Sequence, residues 1–145
     1  MDINVVITNG NNNDFVMLTE LLDEEFYEIF GDVVKQYEQY NKLKDINDVV
    51  IIYNGIEPVA CGSFKKYNDS TVEIKRVFVR KEYRKRGFAT KIMRKLETIA
   101  VKKGFLHGIL ETGAELNPAI ELYKKLGYNT IKNYDQYEKM EVVFA

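Results

Sequence analysis

The sequence is short of the residues that usually carry redox or metal chemistry. Its 145 residues include one cysteine, one histidine and no tryptophan. Cys61 has no partner for an internal disulfide and stands in an apolar, strand-like run, so we expect a buried, unreactive thiol. His107 alone cannot build a cysteine–histidine metal set, and we expect it to pack within a strand. The sequence therefore predicts no metal site and gives no sign of an oxidising compartment.

Prolines, low-complexity tracts and long apolar runs are also scarce. Two prolines, 46% apolar residues and 30% charged residues are typical of an ordered globular protein. The segment from Met1 to Asn4 is not basic and no long apolar stretch follows, so we expect no signal peptide, no membrane span and a cytoplasmic location. A chain of this length suits one domain, and we expect residues 1–145 to form it.

Charges of each sign are concentrated in different segments, although the formal net charge is only −1. Residues 1–34 hold eight acidic residues and no lysine or arginine, whereas residues 80–95 hold eight basic residues against one acidic residue. This division suggests two ligands, one cationic and one anionic. A solvated helix face produces the same pattern, and that interpretation stays open.

Hydrophobic periodicity predicts the order βααα-βββ-α-β-α-ββ, which is typical of a mixed α/β domain rather than a doubly wound one. Asp14 is the predicted cap of the first helix, and Asn117 is the predicted cap of the last. Strict alternation places Val72, Ile74 and Phe78 on one face of their strand. The predicted strands are 3–8, 49–53, 57–65, 72–80, 105–110, 128–133 and 138–144, and further predicted helices are 23–30, 32–43 and 88–103.

One segment, residues 77–90, combines a strand, a short basic loop and the start of a long helix. Gly87 lets the backbone approach a ligand closely, and the first helical turn has amides without partners at the positive end of the helix dipole. This arrangement predicts a phosphate-binding site. Two other interpretations stay open from the residues alone: a solvated basic connection, and a nucleic-acid patch, which the non-basic composition disfavours.

Three motifs resemble those of the GNAT superfamily of N-acetyltransferases. Arg84-Lys85-Arg86-Gly87-Phe88-Ala89 is similar to its Arg/Gln-x-x-Gly-x-Gly/Ala signature. Residues 72–79 are similar to its central strand, and residues 117–128 are similar to its second motif, which ends in Leu-Gly-Tyr. Residues 54–62 match its hairpin more weakly, and the first 45 residues match only as a strand plus helices. The resemblance implies an α+β fold: a central, mostly antiparallel sheet, flanked by helices, with a splayed parallel strand pair.

The resemblance also implies an enzyme that moves an acetyl group from acetyl-CoA to a primary amine by direct attack in a ternary complex. In this family the signature loop holds the pyrophosphate of coenzyme A, and the central strand pairs with the pantetheine arm. The implied contacts with acetyl-CoA are Val77, Phe78, Val79, Arg84, Lys85, Arg86, Gly87, Phe88, Ala89, Thr90 and Asn117.

Two side chains match the catalytic positions of the family. Tyr123 is the implied proton donor to the departing thiolate, although it also suits a core-facing aromatic position. Glu73 is the implied general base, and a salt bridge with Lys75 is its alternative role. The Val77 amide is the implied oxyanion donor. The acidic first 34 residues would form the acceptor wall, which makes a cationic acceptor a hypothesis.

The expected partner is a small-molecule or peptide amine, with no nucleic acid and no membrane, and a homodimer stays open. The alternative function is a non-catalytic acyl-CoA-binding regulatory module. The presence of Glu73, Asn117 and Tyr123 favours an enzyme. The sequence does not identify the acceptor amine.

Overall fold

The structure is a computed structural model that describes residues 1–31, 43–113, 117–131 and 137–144. The strands are β1 (Ile3–Thr8), β2 (Asp48–Asn54), β3 (Glu57–Lys66), β4 (Thr71–Val79), β5 (His107–Gly113), β6 (Asn129–Ile131) and β7 (Tyr137–Val143). The α-helices are α1 (Asn13–Phe30), α2 (Phe88–Lys102) and α3 (Asn117–Lys125), and short 3-10 turns cover Leu43–Asp45 and Lys81–Tyr83. None of the described helices has both the length and the hydropathy that crossing a membrane requires.

The described strands form one sheet in the order β1-β2-β3-β4-β5-β7-β6. Neighbouring strands are antiparallel except for β4 and β5, which are parallel. Pairing of β4 with β5 runs only from Thr71 to Glu73, whereas β5 pairs with β7 along its whole length to Gly113. The predicted α+β fold with a splayed parallel pair is therefore confirmed.

Helices cover both faces of the sheet, and the alternation of β2 shows how. Val49 and Ile51 belong to the buried cluster beneath α1, whereas Val50 and Ile52 belong to the larger cluster beneath α2. All four side chains are fully buried. Burial of each such side chain contributes about 1.5–3 kcal/mol to folding. The core thus lies on both sides of the central strands.

The first helix differs from its prediction at both ends. Its cap is Asn12 rather than Asp14, because the Asn12 side-chain oxygen accepts the amides of Asp14 and Phe15 at 2.8 and 3.2 Å. The helix also continues through the predicted break at residue 23, because Phe26 extends its apolar side onto the cluster beneath it. The helix predicted at 32–43 lies outside the described residues, apart from Leu43.

Two strands begin later than predicted, because helix-terminal turns use their first residues. The Phe105 amide donates to the Ala100 carbonyl at 3.1 Å, so β5 begins at His107 instead of residue 105. The Tyr128 amide likewise donates to the Tyr123 carbonyl at 3.0 Å, and β6 begins at Asn129. The end predicted for that strand, residues 132 and 133, lies outside the described residues.

A β-bulge interrupts β4 where Arg76 and Val77 together lie opposite Gly62 of β3. Arg76 is in the left-handed conformation, with φ 59°, which costs a residue other than glycine roughly 1–2 kcal/mol. A Cβ atom at Gly62 would lie 2.4 Å from Cγ2 of Ile92. Only glycine therefore lets β3, opposite the bulge, pack this closely against α2.

The bulge reverses the side-chain alternation of β4. Val72 and Ile74 belong to the cluster beneath α2, but Phe78 lies with Cys61 in the cluster beneath α1. Our prediction that Phe78 shares a face with Val72 and Ile74 is wrong, because the inserted residue shifts the two-residue period. Cys61 is buried, as predicted.

Candidate active site

The loop before α2 presents a row of unpaired amides. The first helical hydrogen bond runs from the Lys91 amide to the Gly87 carbonyl at 3.1 Å, and the amides from Lys85 to Thr90 have no acceptor among the described residues. Gly87 has φ 81°, and a Cβ atom there would meet no atom within 4 Å. Free amides at the positive end of a helix dipole, beside open space, can hold an anion.

Side chains of the predicted loop residues differ in what they can add. Lys85, Arg86 and Gly87 are exposed, so the two cations are available to an anionic ligand. The ring of Phe88 is buried in the core, so this residue offers only its amide. Arg86 also lies 5.5 Å from the centre of the Tyr83 ring, which holds its guanidinium near the loop.

Arg84 has a different role from the one its position in the signature suggested. Its amide donates to the Lys81 carbonyl at 3.3 Å, so it is not among the free donors of the loop. Its guanidinium forms two hydrogen bonds with Glu25, at 2.9 and 2.6 Å, and its Nε donates to the Val79 carbonyl at 2.8 Å. Arg84 therefore fastens the loop to α1 and to the end of β4.

The second half of β4 has an open edge. Beyond Glu73 this strand makes no pair with β5 in the described chain, although it stays paired with β3 on its other side. Val77, Phe78 and Val79 lie in this stretch. An extended ligand can add to such an edge as an extra strand. The open edge and the anion-binding loop are consecutive, so the fold places the two predicted parts of the acyl-CoA site next to each other.

Tyr123, on α3, is a core residue with an ionisable end. Its side chain is 9% exposed, and its ring meets Tyr128 edge-on at 6.0 Å. Burial raises the pKa of Tyr123 to about 12. The phenol is therefore protonated throughout the physiological range, and its hydroxyl has no hydrogen-bond partner among the described residues.

Glu73 lies where β4 and β5 separate. Its carboxylate is 3.6 Å from Nζ of Lys75, so the salt bridge that the sequence allowed is present. Glu73 alternates with Ile74, whose side chain belongs to the same cluster as Tyr123. Glu73 therefore points to the α1 face of the sheet, whereas Tyr123, on α3, lies in the cluster on the α2 face.

Two other predicted residues have simple positions. Asn117 begins α3, as predicted, but its side chain lies outside what the structure describes. His107 begins β5, and its Nδ1 is 3.6 Å from the carboxylate of Glu141 on β7. This contact across two strands agrees with the packing role that we expected for His107.

The acidic residues of α1 have partners that sequence analysis missed. Asp23 binds the guanidinium of Arg76, and Glu25 binds that of Arg84. Glu20 and Glu24 lie on the outer part of the same helix. A shallow groove beside α1 is lined by Val16, Thr19, Glu20, Asp23, Glu24, Leu43 and Arg76. Two of the eight acidic residues of the predicted acceptor wall, Asp23 and Glu25, are therefore neutralised by arginines, and Glu20 and Glu24 line the groove with Asp23.

Comparison with known proteins identifies the family. The open parallel pair and the strand–loop–helix anion site are the features that the resemblance to GNAT acetyltransferases implied. Residues 15–128 match the model of the Acetyltransferase (GNAT) family. The chain belongs to this family.

Known relatives agree with this membership. The Xenopus tropicalis protein named "Probable N-acetyltransferase 14" is 32% identical over 96 residues, which is 66% of this chain and 47% of that protein. The chain thus spans about half the length of this curated relative. The fold is similar to that of the PaiA N-acetyltransferase from Thermoplasma acidophilum in complex with coenzyme A, at TM-score 0.81, 16% identity and coverage of 99% and 100% of the two chains. An acetyltransferase from Streptococcus agalactiae also has TM-score 0.81, with 15% identity and 99% of each chain covered.

Proposed function

We propose that this protein transfers an acetyl group from acetyl-CoA to a primary amine by direct attack in a ternary complex. The observation that carries this proposal is the row of free amides from Lys85 to Thr90 beside the open edge of β4. Diphosphate oxygens accept from such amides, and an extended pantetheine arm suits such an edge. The Thermoplasma acidophilum relative crystallised with coenzyme A supports it. A cytoplasmic location, with Cys61 reduced, completes the proposal.

The proposed chemistry assigns one task to each of three groups. An ammonium has no lone pair with which to attack, so Glu73 accepts its proton, directly or through water. The Val77 amide stabilises the negative charge that develops on the thioester oxygen. Tyr123 faces the departing thiolate.

The raised pKa of Tyr123 determines how it helps the thiolate. A thiol has a pKa of about 8.5, whereas that of Tyr123 is about 12. The buried phenol therefore holds its proton more tightly than a thiol in water does. We infer that Tyr123 donates a hydrogen bond to the leaving thiolate and keeps its proton, and that the thiolate takes up the proton that the attacking nitrogen loses as the amide forms.

The acceptor class follows from the groove beside α1. Asp23 and Glu25 are paired with arginines, so a cationic acceptor depends on Glu20 and Glu24, which are exposed. We propose an amine that carries at least one further positive charge. Acetylation of such an amine should exceed that of a neutral amine at low salt, and the advantage should shrink as salt screens the carboxylates. Equal rates for both amines at low salt would contradict the charge argument.

Thiol release from acetyl-CoA tests the activity directly. The purified protein would be incubated with acetyl-CoA and a panel of spermidine, lysine, an aminoglycoside, a peptide with a free amino terminus, and a neutral amine. We expect thiol release that requires one of these amines, with an acetylated product of the matching mass. Binding of acetyl-CoA without release in any incubation would instead support the regulatory module.

A Glu73→Gln variant tests the proposed base. Loss of the carboxylate should lower kcat, because glutamine cannot accept a proton. The matched variant Glu82→Gln changes an exposed carboxylate beside the same site. An unchanged kcat and pH profile in Glu73→Gln would remove Glu73 from the mechanism.

A further inference from the structure

The residue at the centre of the β4 bulge is an arginine where glycine would fit the backbone better. Arg76 holds φ 59°, a conformation that glycine adopts without strain. Its side chain is only 8% exposed, and its guanidinium binds the carboxylate of Asp23 on α1. The side chain therefore explains why an arginine occupies this position: it ties the bulge to the helix above it.

The backbone of the bulge is held from a second side. The Arg76 carbonyl lies 3.4 Å from Sγ of Cys61, which is fully buried in β3 and donates to it. The peptide that follows this carbonyl carries the Val77 amide. The Cys61 contact thus orients the peptide plane that contains the proposed oxyanion donor, and the Asp23 contact anchors the side chain of the same residue.

Helix α1 is fastened to β4 on both sides of its apolar stripe. Successive side chains of an α-helix are rotated by about 100° around its axis. Asp23 and Glu25 therefore lie on opposite sides of the apolar stripe that contains Leu22 and Phe26. Asp23 binds Arg76 at the bulge, and Glu25 binds Arg84 just after the strand. The helix that borders the acceptor groove cannot shift without disturbing one of these pairs.

We infer that the Arg76–Asp23 ion pair is a positioning device for the proposed reaction. It holds the left-handed bulge, and with it the Val77 amide, in the orientation that polarises the thioester carbonyl. This inference rests on the proposed function. Neither side chain belongs to the signature loop or to the open edge of β4 beyond the bulge, so binding of acetyl-CoA should survive loss of the pair.

The carbonyl ¹³C resonance of labelled acetyl-CoA provides the test, because it reports polarisation without requiring an acceptor amine. Spectra would be recorded at saturating acetyl-CoA for the wild type, Asp23→Ala, Arg76→Gly and Asp23→Glu. A double variant, Asp23→Arg with Arg76→Asp, reverses the pair, and aspartate tolerates the left-handed backbone. Asp69→Ala removes an exposed partner of Lys66 and is the control.

The expected results separate positioning from stability. The wild type, the control and Asp23→Glu should show a downfield shift on binding. Asp23→Ala and Arg76→Gly should lose at least half of it while their dissociation constants for acetyl-CoA stay within threefold, and the reversed pair should recover it. If Asp23→Ala or Arg76→Gly is too unstable to study, the reversed pair alone provides the test: recovery of the shift supports the inference.

Three outcomes would overturn the inference. The first is a wild-type shift in folded Asp23→Ala and Arg76→Gly. The second is a folded reversed pair that binds acetyl-CoA without recovering the shift. The third is a wild type that does not bind acetyl-CoA, and this outcome alone would also remove the proposed function.

Discussion

At the scale of single residues, Tyr123 combines packing with a polar end. Its ring lies against Tyr128 in the core, and its hydroxyl has no partner among the described residues. The two interpretations that the sequence left open, core aromatic and catalytic donor, use different atoms of this side chain. They are therefore compatible.

Removal of this hydroxyl should separate the two roles. Tyr123→Phe keeps the ring but cannot donate a hydrogen bond to a thiolate, so we expect kcat to fall about 100-fold. The melting temperature and the affinity for acetyl-CoA should change little. Tyr67→Phe, on the exposed end of the β3–β4 hairpin, is the matched control. A kcat within twofold of wild type would show that Tyr123 is only a core residue.

The sequence indicated residue types for the proposed site but not all of their contacts. Tyr123 and Glu73 stood out because the motifs around them match a family. The arginine–carboxylate pairs did not, because Asp23 and Arg76 are 53 positions apart and Glu25 and Arg84 are 59 apart. Only the packing of α1 on β4 brings such charges together, and no local pattern encodes it.

At the scale of elements, the signature loop depends on one glycine. Gly87 has φ 81°, and Gly104, after the other end of α2, has φ 93°. An added Cβ atom would meet nothing within 4 Å at either position. The two glycines thus share backbone geometry and free space, and only Gly87 lies beside the free amides.

Alanine at these two glycines should separate backbone strain from ligand binding. Gly87→Ala and Gly104→Ala should each destabilise the fold by about 1 kcal/mol, because both backbones are left-handed. Only Gly87→Ala should weaken acetyl-CoA binding, by at least about tenfold, because its methyl group occupies the space beside the amides. Denaturant unfolding and calorimetry measure both effects. Equal affinities in the two variants would contradict the location of the site.

The order of the elements and the long helix α2 were predictable, because hydrophobic periodicity and the residues at helix ends are visible within short stretches of sequence. The apolar stripe from Phe88 to Ala100 predicted α2 to within one residue at its end. The bulge at Arg76 was not predictable, because the inserted residue shows only in the pairing of β4 with β3. The sequence predicted that a new helix begins at residue 23, because successive acidic residues there resemble a helix start, whereas α1 continues through this position.

At the scale of the whole molecule, several buried groups remain neutral in the folded state. Burial raises the pKa of Cys61 to about 12, and the same effect acts on Tyr123. Burial, with help from the carboxylate of Glu97, also raises the pKa of Tyr128. In the unfolded chain these groups ionise at their ordinary values. The folded state therefore binds more protons than the unfolded state above about pH 8.5.

Stability should consequently fall in alkali. The stabilising effect of the raised pKa values is complete below the unfolded pKa of each group and is lost as the pH rises toward 12. We expect the free energy of unfolding to drop by on the order of 4 kcal/mol between pH 8 and pH 10.5, with more than half of the drop from Cys61. Cys61→Ala should reduce the fall of the unfolding free energy with pH, even where it also changes the stability at pH 8. Urea unfolding between pH 8 and pH 10.5 measures this pH dependence. An identical pH dependence in Cys61→Ala would contradict the contribution that we assign to Cys61.

Calorimetry with acetyl-CoA and with acetyl-pantetheine tests whether the loop before α2 holds the diphosphate of acetyl-CoA. The two ligands share the thioester and the arm that suits β4, but only acetyl-CoA carries the diphosphate assigned to the amides from Lys85 to Thr90. We predict saturable binding of one acetyl-CoA per chain and at least a hundredfold weaker binding of acetyl-pantetheine. Equal affinities for the two ligands, or no binding of acetyl-CoA, would contradict it.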